Sequence, residues 1–192
     1  MARELTEYER QLEDLVRPLS AAKWQCDYFW NRVEPAILEL GDDHGGLELI
    51  PDFQRGHVWS PLQQSHFLEN CLRGIVPSSG YLIQFNCPFW GNYHGETDLP
   101  KGLQCVDGLQ RYTAITRFVR GEVKAFGLTA SEFAGTQFDP KRLRMAVAVH
   151  NFTTRAELLA FYLAVNSGGS QHSEEEIERV RGLLEVAKAT SG

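Results

Sequence analysis

One strand-to-helix corner constrains this chain more than any other feature. The short, mostly apolar segment 103–106 reads as a strand. It leads directly into Asp107-Gly108-Leu109-Gln110-Arg111, after which Ile115, Phe118 and Val119 recur at helical spacing. A helix start leaves its first N–H groups without helical partners and carries the positive end of the helix dipole, so such a corner attracts anions. An earlier segment, residues 50–59, holds a second Gln-Arg pair, Gln54 and Arg55, between Phe53 and Val58-Trp59. Together the two segments predict a polyanion or nucleotide site.

Plainer readings sit beside this one. Asp107 with Gln110 three residues later has the form of a capping box, in which Gly108 permits a tight turn and Arg111 faces solvent. The two readings are compatible, because a capped and rigid helix start suits a phosphate and Arg111 offers a bidentate fork. Gln54 and Arg55 also fit an ordinary edge or turn. Asn166-Ser167-Gly168-Gly169 ends a helical segment, and Asn and Gly favour helix C-termini. His57 lies close enough to Gln54-Arg55 to serve as a general base, although a surface or packing histidine is the commoner role. Asp52 and Asp107 are the nearest carboxylates if a divalent metal binds.

The 192 residues suffice for one domain, with or without a helical appendage. Four cysteines (26, 71, 87 and 105) form no C-x-x-C pair and no zinc spacing with the six histidines, so reduced, buried thiols in a cytoplasmic protein are expected. The N-terminus is polar, without the apolar core of a signal peptide, and no apolar run approaches the roughly 20 residues that span a bilayer. Net charge is −6, yet residues 101–155 hold nine basic residues against four acids, which leaves the rest of the chain at −11. Local positive potential of this kind can focus a polyanion, or the cations can be paired within solvated faces.

Along the chain, helices are expected at 6–19 and at 22–40, the second with Pro35 inside it. Residues 47–50, 81–85, 123–126 and 143–149 read as strands. Ser60-Pro61-Leu62-Gln63 opens a helix that stops near Gly74, and Thr129-Ala130-Ser131-Glu132 and Thr154-Arg155-Ala156-Glu157 have the same start signature. Residues 86–102 form a long loop with Phe89, Trp90 and Tyr93 at its tip, a lid-like feature. Ser173 caps a last helix. Alternating strands and helices imply an α/β or α+β domain. No phosphate-binding Gly-x-x-x-x-Gly-Lys-Ser/Thr loop, Gly-x-Gly-x-x-Gly or Gly-x-Ser-x-Gly is present.

These motifs resemble the N-terminal domain of GmrSD-type restriction proteins, within the ParB/sulfiredoxin-like superfamily. The Pro-x-Phe/Tyr-Gln-Arg-x-x-x-Trp pattern is matched by Pro51, Phe53, Gln54, Arg55 and Trp59. A Gly-x-x-Pro turn is matched at Gly74 and Pro77, and the Asp-Gly-Gln-Gln-Arg signature by Asp107, Gly108, Gln110 and Arg111. An Asn-x-Gly-like turn is matched by Asn166 with Gly168 or Gly169. The likeness spans about residues 47–177. It implies a small mixed sheet with surrounding helices, divided as a helical extension (1–46), a ParB/sulfiredoxin-like domain (47–170) and a C-terminal helix packed on it (171–192). It also implies nucleoside triphosphate binding and hydrolysis with magnesium, linked to restriction or phage–host conflict. Arg55, Gly108, Arg111 and Asn166 would bind the nucleotide, with Arg55 and Arg111 on its phosphates. Gln54 and Gln110 would orient a phosphate or water, and Asp107 would cap the helix or hold the metal. Leu109 departs from the signature, where the family has Gln, and removes a polar contact. The HNH-type nuclease domain of larger members does not follow, so a separate nuclease subunit is an expected partner. A DNA-binding or DNA-cleaving module and a non-catalytic regulator are the alternatives.

Overall fold

The computed structural model describes residues 3–16, 19–56, 58–77, 80–91, 95–166 and 174–190. Chain order is α1 (Glu7–Val16), β1 (Trp24–Phe29), α2 (Trp30–His44), β2 (Leu47–Glu48), α3 (Pro61–Leu72), β3 (Leu82–Asn86), β4 (Leu103–Asp107), α4 (Leu109–Val119), a 3-10 turn (Ala130–Phe133), β5 (Arg144–His150), α5 (Arg155–Asn166) and α6 (Glu174–Thr190). The strands form one mixed sheet in the order β1-β5-β3-β4-β2. The β1–β5 and β3–β4 pairs are antiparallel, while β3–β5 and β2–β4 are parallel. The expected mixed α/β architecture is therefore present.

Successive strand residues point to opposite faces of the sheet, and the core divides accordingly. Leu103 and Cys105 of β4 join a cluster built with Trp30, Val33 and Ile37 of α2, Leu68 of α3, and Ile115 and Phe118 of α4. Val106, the next residue, joins a second cluster with Phe53, Leu158, Leu159 and Tyr162, capped by Val180 of α6. Burial on both faces fits the mostly apolar make-up of β4, whose one polar interior residue, Gln104, donates its side-chain N–H to Glu48 at 2.7 Å. Helices α2, α3 and α4 cover one face, and α5 with α6 covers the other. No described helix is long and apolar enough to cross a membrane.

Two expected elements are corrected. Residues 22–29 are not helical: 24–29 form β1, which pairs with β5 over six residues and alternates between half-buried and exposed positions. Trp24 and Tyr28 sit four apart, which mimics a helix, but Trp-Gln-Cys-Asp-Tyr also alternates with period two, and the open edge of β5 decides between them. Segment 24–44 thereby adds a strand to the main sheet, and α2 adds three fully buried side chains to its core. Helix α2 continues through Pro35. Residues 123–126 form no strand beyond a single Ala125–Leu128 bridge, closing a two-residue turn.

Helix α1 exists, with Thr6 and Glu9 exchanging capping hydrogen bonds, but buries no residue. The reciprocal boxes at Ser60/Gln63 and Thr129/Glu132 form as expected, and Thr154 accepts from the Glu157 N–H. The aromatic loop is pinned where it is described. The Trp90 ring stacks on His44 at 4.4 Å and tilts against Trp24 at 5.3 Å, and Leu99 is buried. Tyr93 and Ser173 lie outside the described residues.

Trp30 is the largest fully buried side chain, and its indole N–H donates to the Arg144 carbonyl at 3.2 Å. Trp30→Ala should lower unfolding stability by about 3–5 kcal/mol in urea titrations. A loss below about 1 kcal/mol would show that segment 24–44 is peripheral. His150 gives a second check. It is buried against Phe161 and Phe152, with Nε2 at 3.1 Å from the Gln84 side-chain carbonyl, and burial holds its pKa below the ordinary value. A depressed folded-state value contributes stability above the unfolded pKa of about 6.5 and loses it as pH falls through the folded value. Thermal melts should therefore drop from pH 7.5 to 5.5, and His150→Leu should flatten that part of the profile.

Candidate functional site

The strand-to-helix corner forms where the two cores meet. Gly108 sits between β4 and α4 with φ 92, a left-handed conformation that disfavours any side chain. It also passes so close to β3 that an added Cβ would overlap the Leu82 carbonyl and lie 2.7 Å from the Ile83 Cα. The β3–β4 register shifts between Gln84 and Phe85, directly beside the Gln84–Asp107 pair. Helical bonding starts with the Tyr112 N–H donating to the Gly108 carbonyl at 2.9 Å. The N–H groups of Leu109, Gln110 and Arg111 therefore have no helical acceptor.

The expected Asp107/Gln110 capping box does not form, because Gly108 is the N-cap and no side chain bonds there. Both residues are used elsewhere. The Asp107 carboxylate accepts from Arg111 Nη2 at 2.6 Å. Arg111 Nε and Nη2 also donate to the Leu82 carbonyl at 3.3 and 3.2 Å. The guanidinium is thus clamped on one edge, and its Nη1 makes no hydrogen bond among the described residues. The Gln110 amide reaches across to the earlier segment. Its carbonyl accepts from the Val58 and Trp59 N–H groups at 2.9 and 3.2 Å, and its nitrogen donates to the Gly56 carbonyl at 2.7 Å.

That segment is anchored on its other sides as well. The Phe53 ring is fully buried, edge-on to Tyr162 at 5.3 Å. Gln54 Nε2 donates to the Cys105 and Val106 carbonyls, both at 3.4 Å. Arg155 at the start of α5 pairs with Asp52 at 2.5 Å, and Arg179 of α6 donates to the Asp52 and Phe53 carbonyls at 2.9 and 3.0 Å. Trp59 leans on Phe67 of α3 at 5.3 Å.

One cleft results, lined by Gln54, Arg55, Trp59, Asp107, Gly108, Leu109, Gln110, Arg111 and Asn166. Gln54, Arg55, Asp107, Gly108, Gln110, Arg111 and Asn166, expected from sequence to serve catalysis or nucleotide contact, all line it. Asn166 is buried at the end of α5, its side-chain N–H donating to the Tyr162 carbonyl at 2.8 Å. Leu109 is only 4% exposed and belongs mainly to the core, so this position packs rather than offers a polar group. His57, Gly168 and Gly169 lie outside the described residues. Asp52 does not line the cleft, being occupied by Arg155.

The cleft measures about 50 Å³. A water needs about 10–15 Å³ on this scale, so the space admits a few waters or one compact anionic group, not a whole nucleotide. Among the described residues Asp107 is its only carboxylate, and Arg111 holds it. Among the described residues no three His, Cys, Asp or Glu side chains converge on a metal position. The described donor set does not fit a metal caged by the protein alone. Cys105, beneath the corner, is fully buried, and burial pushes its thiol far above the ordinary value, so it remains neutral and unreactive. Of the nine cations in residues 101–155, Arg111, Arg117, Arg120 and Arg155 pair with carboxylates.

Sequence reading did not find the Leu82 carbonyl, Arg155 or Arg179 as supports of the site. Backbone carbonyls carry no residue signature, and an arginine 103 positions from its aspartate gives no local pattern. Replacing Gln110 by Ala should release the earlier segment. Hydrogen exchange at the Val58 and Trp59 amides should rise roughly tenfold or more while β4 stays protected. Equal rates in both proteins would show that other anchors suffice.

A family model for the GmrSD restriction endonuclease N-terminal domain matches residues 37–181, which include all of these cleft residues. No curated protein and no solved structure matches the chain. With three quarters of its length covered by that match, the chain belongs to the GmrSD restriction endonuclease N-terminal domain family.

Proposed function

We propose that the cleft binds the phosphates of a nucleoside triphosphate and supports its hydrolysis within a restriction or phage-defence system. One observation carries the reading: Arg55 and Arg111, far apart in sequence, line one small polar cleft at the start of α4. Two guanidinium groups and helix-start N–H groups without helical acceptors suit a phosphoryl group, which matches the cleft in size. The rest of the nucleotide lies along the rim, where Trp59 offers a ring for a base. Family membership supplies the restriction context.

Within this reading the residues take distinct roles. Arg111, clamped by Asp107 and the Leu82 carbonyl, presents fixed positive charge where negative charge develops, so little reorganisation is needed during reaction. Arg55 is the second phosphate contact. Gln54 turns its amide nitrogen to the β4 carbonyls and keeps its side-chain oxygen for a water. Gln110 and Asp107 are positioning residues, one for the segment carrying Arg55 and one for Arg111. Asn166 closes the wall formed by α5. Magnesium arrives with the triphosphate as part of the substrate, held by phosphate oxygens rather than a protein cage. In this reading the protein acts in the cytoplasm alongside a restriction nuclease.

Direct DNA binding through residues 101–155 is less well supported, since four of its cations already have carboxylate partners. Strong DNA binding that weakens steeply with salt would revive it.

The test is calorimetry with the four common triphosphates, with and without magnesium, alongside a phosphate-release assay. Wild type should bind at least one of them and release phosphate. Arg111→Ala should abolish detectable binding, and Arg55→Ala should weaken it at least tenfold. Asp107→Asn should retain part of the affinity, because the Leu82 carbonyl still holds the guanidinium. Undiminished binding by Arg111→Ala would refute the assignment. Binding without phosphate release would leave a nucleotide-dependent regulator.

A further inference from the structure

A second cavity lies at the far end of α3 from the phosphate cleft. Leu72 and Arg73 line it from the end of α3, Phe126 from the turn after α4, and Phe133 and Phe138 from the 3-10 turn and the chain beyond it. Helix α3 has 12 residues, so roughly 18 Å of helix separates this cavity from Trp59. Its volume is about 350 Å³, within the range of small-molecule sites.

Three features indicate its occupant. First, the walls are apolar apart from one group, and the Phe126 and Phe138 rings remain 45% and 38% exposed. Second, that one group is a guanidinium. Arg73 lies 4.8 Å from the centre of the Phe126 ring and has no carboxylate at ion-pair distance among the described residues. Third, the backbone holds the Phe126 ring in place at some cost. Phe126 is the only described non-glycine residue with positive φ (53°), followed by Gly127 at 77°. The turn is closed by two Ala125–Leu128 hydrogen bonds of 2.9 Å, and the Phe126 N–H donates to Glu69 at 2.9 Å. Turns of this kind favour Asn, Asp or Gly at that position, so a phenylalanine gains nothing locally.

We propose that this cavity binds a small aromatic carboxylate, with its ring among Phe126, Phe133 and Phe138 and its carboxylate on Arg73. A flat apolar body fits between aromatic walls. An arginine fork without a carboxylate partner recognises a carboxylate in two-point fashion, which a lysine would not. The site is separate from the phosphate cleft and does not depend on the nucleotide reading.

The experiment is isothermal titration of the full chain with 2-naphthoate and with its neutral isostere 2-naphthamide. The expected result is saturable one-to-one binding of naphthoate and at least tenfold weaker binding of the amide. Arg73→Gln should erase that preference, while Phe138→Ala should weaken both ligands. Both side chains reach the surface, and thermal melts matching wild type confirm intact folding. Absence of saturable naphthoate binding would overturn the proposal, as would equal affinity for acid and amide, or a preference that survives Arg73→Gln. A peptide ending in a free phenylalanine carboxylate that binds where naphthoate does not would reassign the cavity to a protein partner.

Discussion

The cleft depends on the side-chain amide of Gln110, which ties the start of α4 to a segment more than fifty residues earlier. Two backbone N–H groups and one carbonyl of residues 56–59 find their partners on that single amide. A loop of this kind costs about 1–2 kcal/mol of backbone entropy for each residue held. The burial of Phe53 and the contacts from Arg155 and Arg179 help offset that cost from the other side of the sheet. Arg55 is therefore carried on a segment that is already ordered. A ligand arriving there does not have to order it, which is the energetic meaning of preorganisation.

The same economy governs Arg111. Its partners are a carboxylate one helical turn back and a carbonyl on the neighbouring strand, and both are in reach because Gly108 lets β3 and the corner approach closely. A side chain at 108 would push the strand away and loosen the guanidinium. The cleft lies on the seam between the two cores, with α4 belonging to one and Asn166 of α5 to the other. Helix α5 thus forms a wall of the site as well as part of the cover for the sheet.

Much of this was legible in the sequence. The mostly apolar run of β4, the glycine at the corner and the periodicity of α4 follow from local chemistry and appear where expected. Three start signatures placed α3, the 3-10 turn and α5. The fourth, Asp107 with Gln110, has the same form and a different fate. There the glycine conformation takes over the cap, and both polar side chains serve tertiary contacts that no local pattern encodes. Segment 22–29 misled for a related reason. Its spacing satisfies two periods, and only the open edge of β5 selects the strand. A shared site for Gln54-Arg55 and the corner was read from their matching Gln-Arg pairs and reinforced by resemblance to a family, while Asn166 came from the resemblance alone, since no residue spacing reports proximity across the sheet. Leu109 was legible as a departure, but its burial in the core was not.

A shared cleft makes a stronger demand than two separate cations. If Arg55 and Arg111 hold the same phosphoryl group, their contributions to triphosphate affinity are coupled. The most direct measurement is a double-mutant cycle on that affinity, using Arg55→Gln, Arg111→Gln and the double variant. The account predicts that the double variant loses clearly less affinity than the two single losses together. Strict additivity, or no loss in either single variant, would contradict it.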